Sequence, residues 1–246
     1  MMPAPQTPQP GAPAPRPVLE IAGLSKNYGN KQALNNINLA LPAGRIIGLL
    51  GPNGSGKTTF IKLVAGILTP TTGSILINGV PPGPASKAMV AYLPDRVYFD
   101  TWMKVRDCLD LFNDFYADFN LDKAREMLKT MGIDTNQTIK SLSKGTQEKV
   151  QLALVMSRNA LLYLLDEPIG GVDPAARDYI LSTIISNYNE NGTVIISTHL
   201  INEIEKVLDD VIFLYNGFVE RATSVDSIRA VSNKSVDEVF REVFRC

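Results

Sequence analysis

Apolar residues fall into three patterns along the chain, and each predicts a different kind of element. Continuous apolar runs form the first. Residues 46–50 (Ile46, Ile47, Gly48, Leu49, Leu50) read as a buried strand. Residues 161–165 and 193–197 read as strands buried on both faces of a parallel sheet, each ending in polar side chains: Asp166 and Glu167 after one, Thr198 and His199 after the other.

Shorter and alternating runs form the second pattern. Residues 18–21 open ordered structure as a strand, and residues 24–29 lead to a turn. Residues 33–41 carry Leu34, Ile37, Leu39 and Leu41 between polar positions, as in a strand of an antiparallel sheet. Residues 74–77 predict a strand ending at the Asn78-Gly79 turn, and residues 89–93 one stopped by Pro94. Asn216-Gly217 between 211–215 and 218–219 is a hairpin signal.

Helical spacing is the third pattern. It is carried by Phe60, Ile61, Leu63, Val64 and Ile67, and again by Trp102, Val105, Cys108, Leu109, Phe112, Tyr116 and Phe119. Residues 121–131 predict a second amphipathic helix closed by Gly132, and Val236, Val239, Phe240 and Val243 a short terminal one. The aromatic helices follow a strand and precede the next motif, which suggests an inserted helical subdomain. Its aromatics read as core, the alternative being a docking surface for some of them.

Between the strand at 46–50 and the helix after it stands Gly51-Pro52-Asn53-Gly54-Ser55-Gly56-Lys57-Thr58-Thr59, which fits G-x-x-x-x-G-K-[ST]. Glycines let the backbone approach a ligand closely, so that successive N–H groups and the helix N-terminus face phosphate oxygens. Lys57 reaches the outer phosphates and Thr58 can ligate Mg²⁺. The motif predicts a P-loop NTPase core of the α/β class.

The two carboxylates supply the second half of that chemistry. Adjacent side chains on a strand point to opposite faces, so both serve one site only where the chain bends, and Pro168 ends the strand there. Asp166 then holds the Mg²⁺ shell, while Glu167 positions and polarises the attacking water. Open α/β sheets place ligands beyond the carboxyl ends of their strands, which brings His199 to the same rim, where its imidazole can donate to a γ-phosphate.

Composition narrows the function classes. The chain has 246 residues, 45% of them hydrophobic, and a net charge of −1, so no basic field favours nucleic acid. Its apolar runs are too short to span a bilayer, and no signal peptide is evident. Cys108 and Cys246 do not make a disulfide framework, which fits a reducing cytosol. With one histidine, the chain offers no metal-ligand cluster. Residues 1–17, dense in Pro, Ala and Gln, read as a flexible tail.

Taken in order, these motifs resemble those of ATP-binding cassette (ABC) ATPases, from Val18 to about Ala222. The resemblance rests on the phosphate loop, on residues 141–147 (Ser-Leu-Ser-Lys-Gly-Thr-Gln) in the place of the signature, and on Leu165-Asp166-Glu167-Pro168. It also rests on Gly171-Val172-Asp173-Pro174 as D-loop and on Ser197-Thr198-His199 as the switch histidine. It implies a mostly parallel sheet, an N-terminal antiparallel β subdomain, and an α-helical subdomain inserted at about 96–159, with 223–246 a helical extension. It further implies an ATP- and Mg²⁺-dependent ATPase in which Tyr28 stacks on adenine, unless it is a buried strand-end tyrosine. Each ATP would lie between one subunit's phosphate loop and the other's Ser143 and Gly145, with Asp173 supporting the opposite site.

The expected partners are thus a second ABC subunit, identical or related, and a transmembrane permease that holds the protein at the inner face of the cell membrane. Three positions depart from the family pattern. Lys144 and Thr146 replace the usual signature residues, and Lys144 faces either phosphate or solvent. Asp95 stands where glutamine is usual, either as a Mg²⁺-side ligand or paired with Arg96. The signature form and residues 115–119 resemble exporters of drugs or peptides. The alternatives are a soluble ABC ATPase outside transport and a regulatory subunit with weak hydrolysis.

Overall fold

The computed structural model describes residues 17–244, without the side chains of 175 and 176. The tail assigned to 1–17 lies outside this range except for Pro17, as does Cys246. In chain order the elements are β1 (Leu19–Tyr28), β2 (Lys31–Leu41), β3 (Ile46–Leu50), α1 (Lys57–Val64), β4 (Thr72–Ile77), α2 (Pro84–Met89), β5 (Val90–Leu93), α3 (Val105–Phe115), α4 (Leu121–Thr130) and α5 (Lys144–Met156). There follow β6 (Leu162–Asp166), α6 (Pro174–Asn187), β7 (Thr193–Thr198), α7 (Ile201–Ile204), β8 (Asp210–Tyr215), β9 (Phe218–Ser224), α8 (Val225–Ser232) and α9 (Val236–Phe244).

Two sheets result. An antiparallel sheet has the order β2-β1-β4, and a larger sheet has the order β5-β6-β7-β3-β8-β9, parallel except for β9 against β8. The architecture is therefore a P-loop NTPase core with a mostly parallel sheet, an antiparallel β layer and a helical insertion between β5 and β6. Asn216 and Gly217 both have positive φ (46° and 82°), which a two-residue hairpin turn of this hand requires.

Strand parity divides the core into two layers. Ile46, Leu50, Tyr163, Leu165, Val194, Ile196, Val211 and Phe213 pack on one face of the large sheet, with α6, α7 and the two C-terminal helices. Their neighbours Ile47, Leu49, Leu162, Leu164, Ile195, Ile212 and Leu214 pack on the other face, with α1 and the antiparallel sheet. This two-faced burial is why the strands read as continuous apolar runs.

A third cluster fills the inserted helices, with Cys108, Leu109 and Phe112 of α3, Leu128 of α4 and Val150, Ala153 and Leu154 of α5. Here the pattern over-ran the helix. Trp102 precedes it and is exposed, because α3 starts only where Asp107 accepts the backbone N–H of Lys104 (2.8 Å). The chain turns extended at Tyr116, yet the rings of Tyr116 and Phe119 still sit 5.2 and 5.5 Å from that of Phe112. Phe115 points outward, so the aromatics divide between core and surface. Cys108 is buried, and desolvation pushes its thiol up to about 12.

Arg158 joins this helical layer to the sheet. Its buried guanidinium donates to Asp118 (3.0 and 3.1 Å) and to the carbonyls of Ala88 and Val90, and lies 3.8 Å from the centroid of the Tyr116 ring.

Candidate active site

The loop after β3 is wedged tightly between neighbours. A Cβ on Gly51 would come within 2.2 Å of the Leu214 carbonyl and 2.6 Å of Ser55 Oγ. At Gly56, where φ is +111°, a Cβ would meet the Ala33 carbonyl at 2.7 Å. Only glycine satisfies both the left-handed backbone and the close approach. The hairpin turn between β8 and β9 braces this loop: Gly217 N donates to Ser55 O (3.0 Å), and Asn35 N donates to Gly217 O (2.9 Å). Lys57, the first residue of α1, is buried, and its Nζ donates to Gly51 O (2.8 Å) and Pro52 O (3.3 Å).

Asp166 belongs by parity to the face of the sheet that carries α1, and there Thr58 Oγ1 donates to its Oδ1 (3.2 Å). Register sets Asp166 beside Ser197 on β7, and the Ser197 hydroxyl donates to the same oxygen at 2.6 Å. Full burial pushes the Asp166 carboxyl above its ordinary value. The two hydroxyl donors pull it down, while the charges of Asp95 and Glu167 push it up. Its Oδ2 has no hydrogen-bond partner among the described residues.

Glu167 leaves the strand differently from the expectation that Pro168 bends the chain. The break falls on Glu167 itself, whose φ is +50°. Its N–H donates to Ser197 O (3.0 Å) and lies 3.1 Å from Ser197 Oγ, fixing this uncommon conformation. The carboxylate is thereby brought 3.4 Å from Lys57 Nζ and 3.1–3.2 Å from His199 Nδ1. Lys57, Glu167 and His199 thus form one connected row beyond the ends of β3, β6 and β7.

A cleft of about 650 Å³ opens onto Lys57 and Glu167 of this row; His199 and Asp166 are not among its lining residues. It is lined by Tyr28, Asn53, Gly54, Gly56, Lys57, Thr58, Thr59, Asp95 and Glu167. Of the other loop residues, Gly51 and Pro52 hold the lysine and Ser55 is buried. Tyr28 is about half exposed, with Lys26 Nζ 5.3 Å from its ring centroid, so it is not a buried strand-end tyrosine. Asp95 lines the cleft and also lies 3.9 Å from Arg96, a loose exposed pair. Lys31, Gln32 and Asn216 line it as well, and sequence reasoning did not single them out. Asn216 is at once half of the hairpin turn and part of the cleft wall.

Ser143, Gly145 and Asp173 do not line this cleft. Ser143 caps α5, its hydroxyl accepting from Thr146 N (3.2 Å). The space where a Cβ of Gly145 would stand is open. Lys144 is exposed and pairs with Glu148 at 3.8 Å.

The donor set suits a hard divalent cation. The Thr58 hydroxyl and Asp166 carboxylate adjoin, Asp166 keeps an uncommitted oxygen, and Asp95 adds a third oxygen group on the same cleft. The loop's N–H groups and Lys57 suit the phosphates of a nucleotide.

The chain is similar to known proteins over most of its length. Residues 34–170 match the family model described as ABC transporter. The chain is 31% identical to the uncharacterized ABC transporter ATP-binding protein YdbJ of Bacillus subtilis (strain 168), over 91% of this chain and 74% of that one. It is 30% identical to the SkfA peptide export ATP-binding protein SkfE of the same organism, over 81% of this chain and 86% of that one. A solved structure titled as the ATP binding subunit of an ABC transporter superposes with a TM-score of 0.84 at 25% identity, covering 92% of this chain and 99% of that one. With its phosphate loop, carboxylate pair and histidine gathered on one sheet rim, the chain belongs to the family of ABC transporter ATP-binding proteins.

Proposed function

We propose that this protein hydrolyses ATP as one of two cassettes that energise a separate membrane permease, working in export. The observation that carries the reading is the row Lys57–Glu167–His199, whose first two members line the cleft. Glu167 holds and polarises the attacking water, and His199 orients that carboxylate and donates to the γ-phosphate. Lys57 and the loop's N–H groups bind the β- and γ-phosphates. Thr58, Asp166 and Asp95 would hold Mg²⁺, which supplies charge neutralisation on those phosphates. Tyr28 offers its exposed ring to the adenine.

A second cassette is needed because Ser143, Gly145 and Asp173 lie off the cleft of their own chain. On a partner's cleft, the N-terminus of α5 would present its N–H groups to the γ-phosphate. For the permease, support comes from a mostly apolar groove of about 490 Å³, lined by Ile67, Tyr92, Tyr98, Phe112 and Tyr116 together with Lys62, Lys87 and Arg158. A short helix of a membrane subunit suits such a groove, and the protein would then sit on the cytoplasmic side of the membrane. Among the described residues, no helix is long and apolar enough to cross a membrane. Export is supported by the peptide-export relative.

The test is turnover and capture together. ATP hydrolysis requiring Mg²⁺ and lost in Lys57→Ala, with a polytopic membrane protein co-purifying, is the expected result. Absence of both turnover and nucleotide binding, with or without that membrane protein, would overturn the proposal.

A further inference from the structure

Helix α5 is buried without interruption from Val150 to Met156, and Gln151 is the one polar residue in that run. Leu152, Val155 and Met156 pack into the sheet layer, and Val150, Ala153 and Leu154 into the inserted helices, so α5 belongs to both bodies. An amide in such a place costs stability unless it is hydrogen-bonded. Gln151 Nε2 has two hydrogens and two acceptors, the carbonyls of Pro94 (3.3 Å) and Arg96 (3.4 Å), while its Oε1 has no partner among the described residues. These carbonyls stand on either side of Asp95. Gln151 also lines a small cavity shared with Asp95, Glu148 and Glu167. Glu148, less than one turn earlier on α5, pairs with Lys144 of the signature.

We infer that Gln151 is a positioning residue that ties the signature helix to the Asp95 loop, so that what the signature touches is felt where Asp95 meets its own cleft. The inference rests on the proposed function for what the two ends touch, and on geometry alone for the tie. The α5 N-terminus carries Ser143 and Gly145. Less than three turns on, the same rigid helix grips the backbone around Asp95. A shift of α5 on engaging a partner's nucleotide therefore displaces the Asp95 carboxylate in its own subunit, linking two nucleotide sites through one side chain.

The experiment replaces Gln151 with methionine, which keeps length and helix propensity but removes both donors. A second variant, Gln151→Asn, keeps the amide and withdraws it by a methylene. Leu152→Met is the packing control. Tryptic cleavage after the exposed Arg96 is timed in each protein without nucleotide, together with thermal unfolding and the Mg²⁺ concentration giving half-maximal ATP hydrolysis. Both Gln151 variants are expected to be cut about tenfold faster after Arg96 and to need several-fold more Mg²⁺, with the KM for ATP little changed; Gln151→Asn, which leaves its amide buried and short of its acceptors, should also melt lower. Leu152→Met should match the wild type. Wild-type cleavage after Arg96 and wild-type Mg²⁺ dependence in both Gln151 variants would overturn the inference. A wild-type protein with no turnover at all would instead sink the proposed function, while the cleavage readout still decides the tie.

Discussion

His199 Nδ1 stands 3.1 and 3.2 Å from the two carboxylate oxygens of Glu167, and Lys57 Nζ stands 3.4 Å from one of them. The carboxylate is shared between a cation and an imidazole, so its charge is central to the row. Glu167→Gln keeps the shape and removes the base. ATP binding is expected to persist while turnover falls by about 10²-fold or more, and ATP should then accumulate dimers visible by size-exclusion chromatography. Dimers absent at saturating ATP would count against the two-cassette arrangement.

Asp166 yields a pH prediction. Burial raises its pKa in the folded state above the unfolded value of 3.8, so the folded protein favours the protonated form. The associated stability is fully present below that unfolded value and is lost as pH rises through the higher folded one. Asp166→Asn is therefore expected to unfold at a higher temperature than wild type near neutral pH without nucleotide, the advantage shrinking toward pH 4. With Mg²⁺ and ATP the order should reverse, since only the carboxylate holds the cation. Thermal melts across pH, with and without Mg²⁺-ATP, check both halves.

Tyr28 is exposed and carries no core packing, which separates binding from folding. Tyr28→Ala should raise the KM for ATP roughly 5- to 50-fold through lost base stacking, leaving kcat and the melting temperature near wild type. Titration calorimetry with ATP reads the effect directly, and unchanged affinity would remove Tyr28 from the site.

At Asp95 the issue is metal rather than nucleotide. If its oxygen serves the cation, Asp95→Ala raises the Mg²⁺ requirement of ATP hydrolysis several-fold with little change in affinity for metal-free ATP. A Mg²⁺ titration superimposable on wild type would show that Asp95 only meets Arg96.

The Arg158 clamp predicts a loss of stability. Arg158→Met leaves Asp118 and the carbonyls of Ala88 and Val90 without their donor, at a cost of about 3 kcal/mol, or roughly 6–12 °C in melting temperature. Calorimetry on the purified variant measures it.

Much of this site was legible in advance because it is built from local rules. Gly51 through Gly56 form the tight turn where a buried strand meets a helix, and Asp166 and His199 each end an apolar run. Asn216-Gly217 declared its turn by composition. What stayed hidden depends on neighbours distant in the chain. Gln151 looks like any polar residue on a helix until the Asp95 loop is laid against it. Ser197 gains its role only from the register that sets it beside Asp166. The helix α6 went unread because Ile180, Leu181 and Ile184 are buried while Ile185 is exposed, which blurs the apolar stripe. The over-long reading of α3 has a related cause, since Trp102, Tyr116 and Phe119 continue a helical spacing that the backbone abandons.

The central place of β3 has a consequence for how the molecule is made. Its two hydrogen-bonded neighbours, β7 and β8, lie far later in the chain, so the strand bearing the glycine loop leaves the ribosome long before either exists. Anything able to grasp a nucleotide can appear only once residues near 215 have emerged. Until β7 emerges, the nascent chain holds an apolar ribbon unpaired on both edges, exposed to chaperones and to aggregation alike.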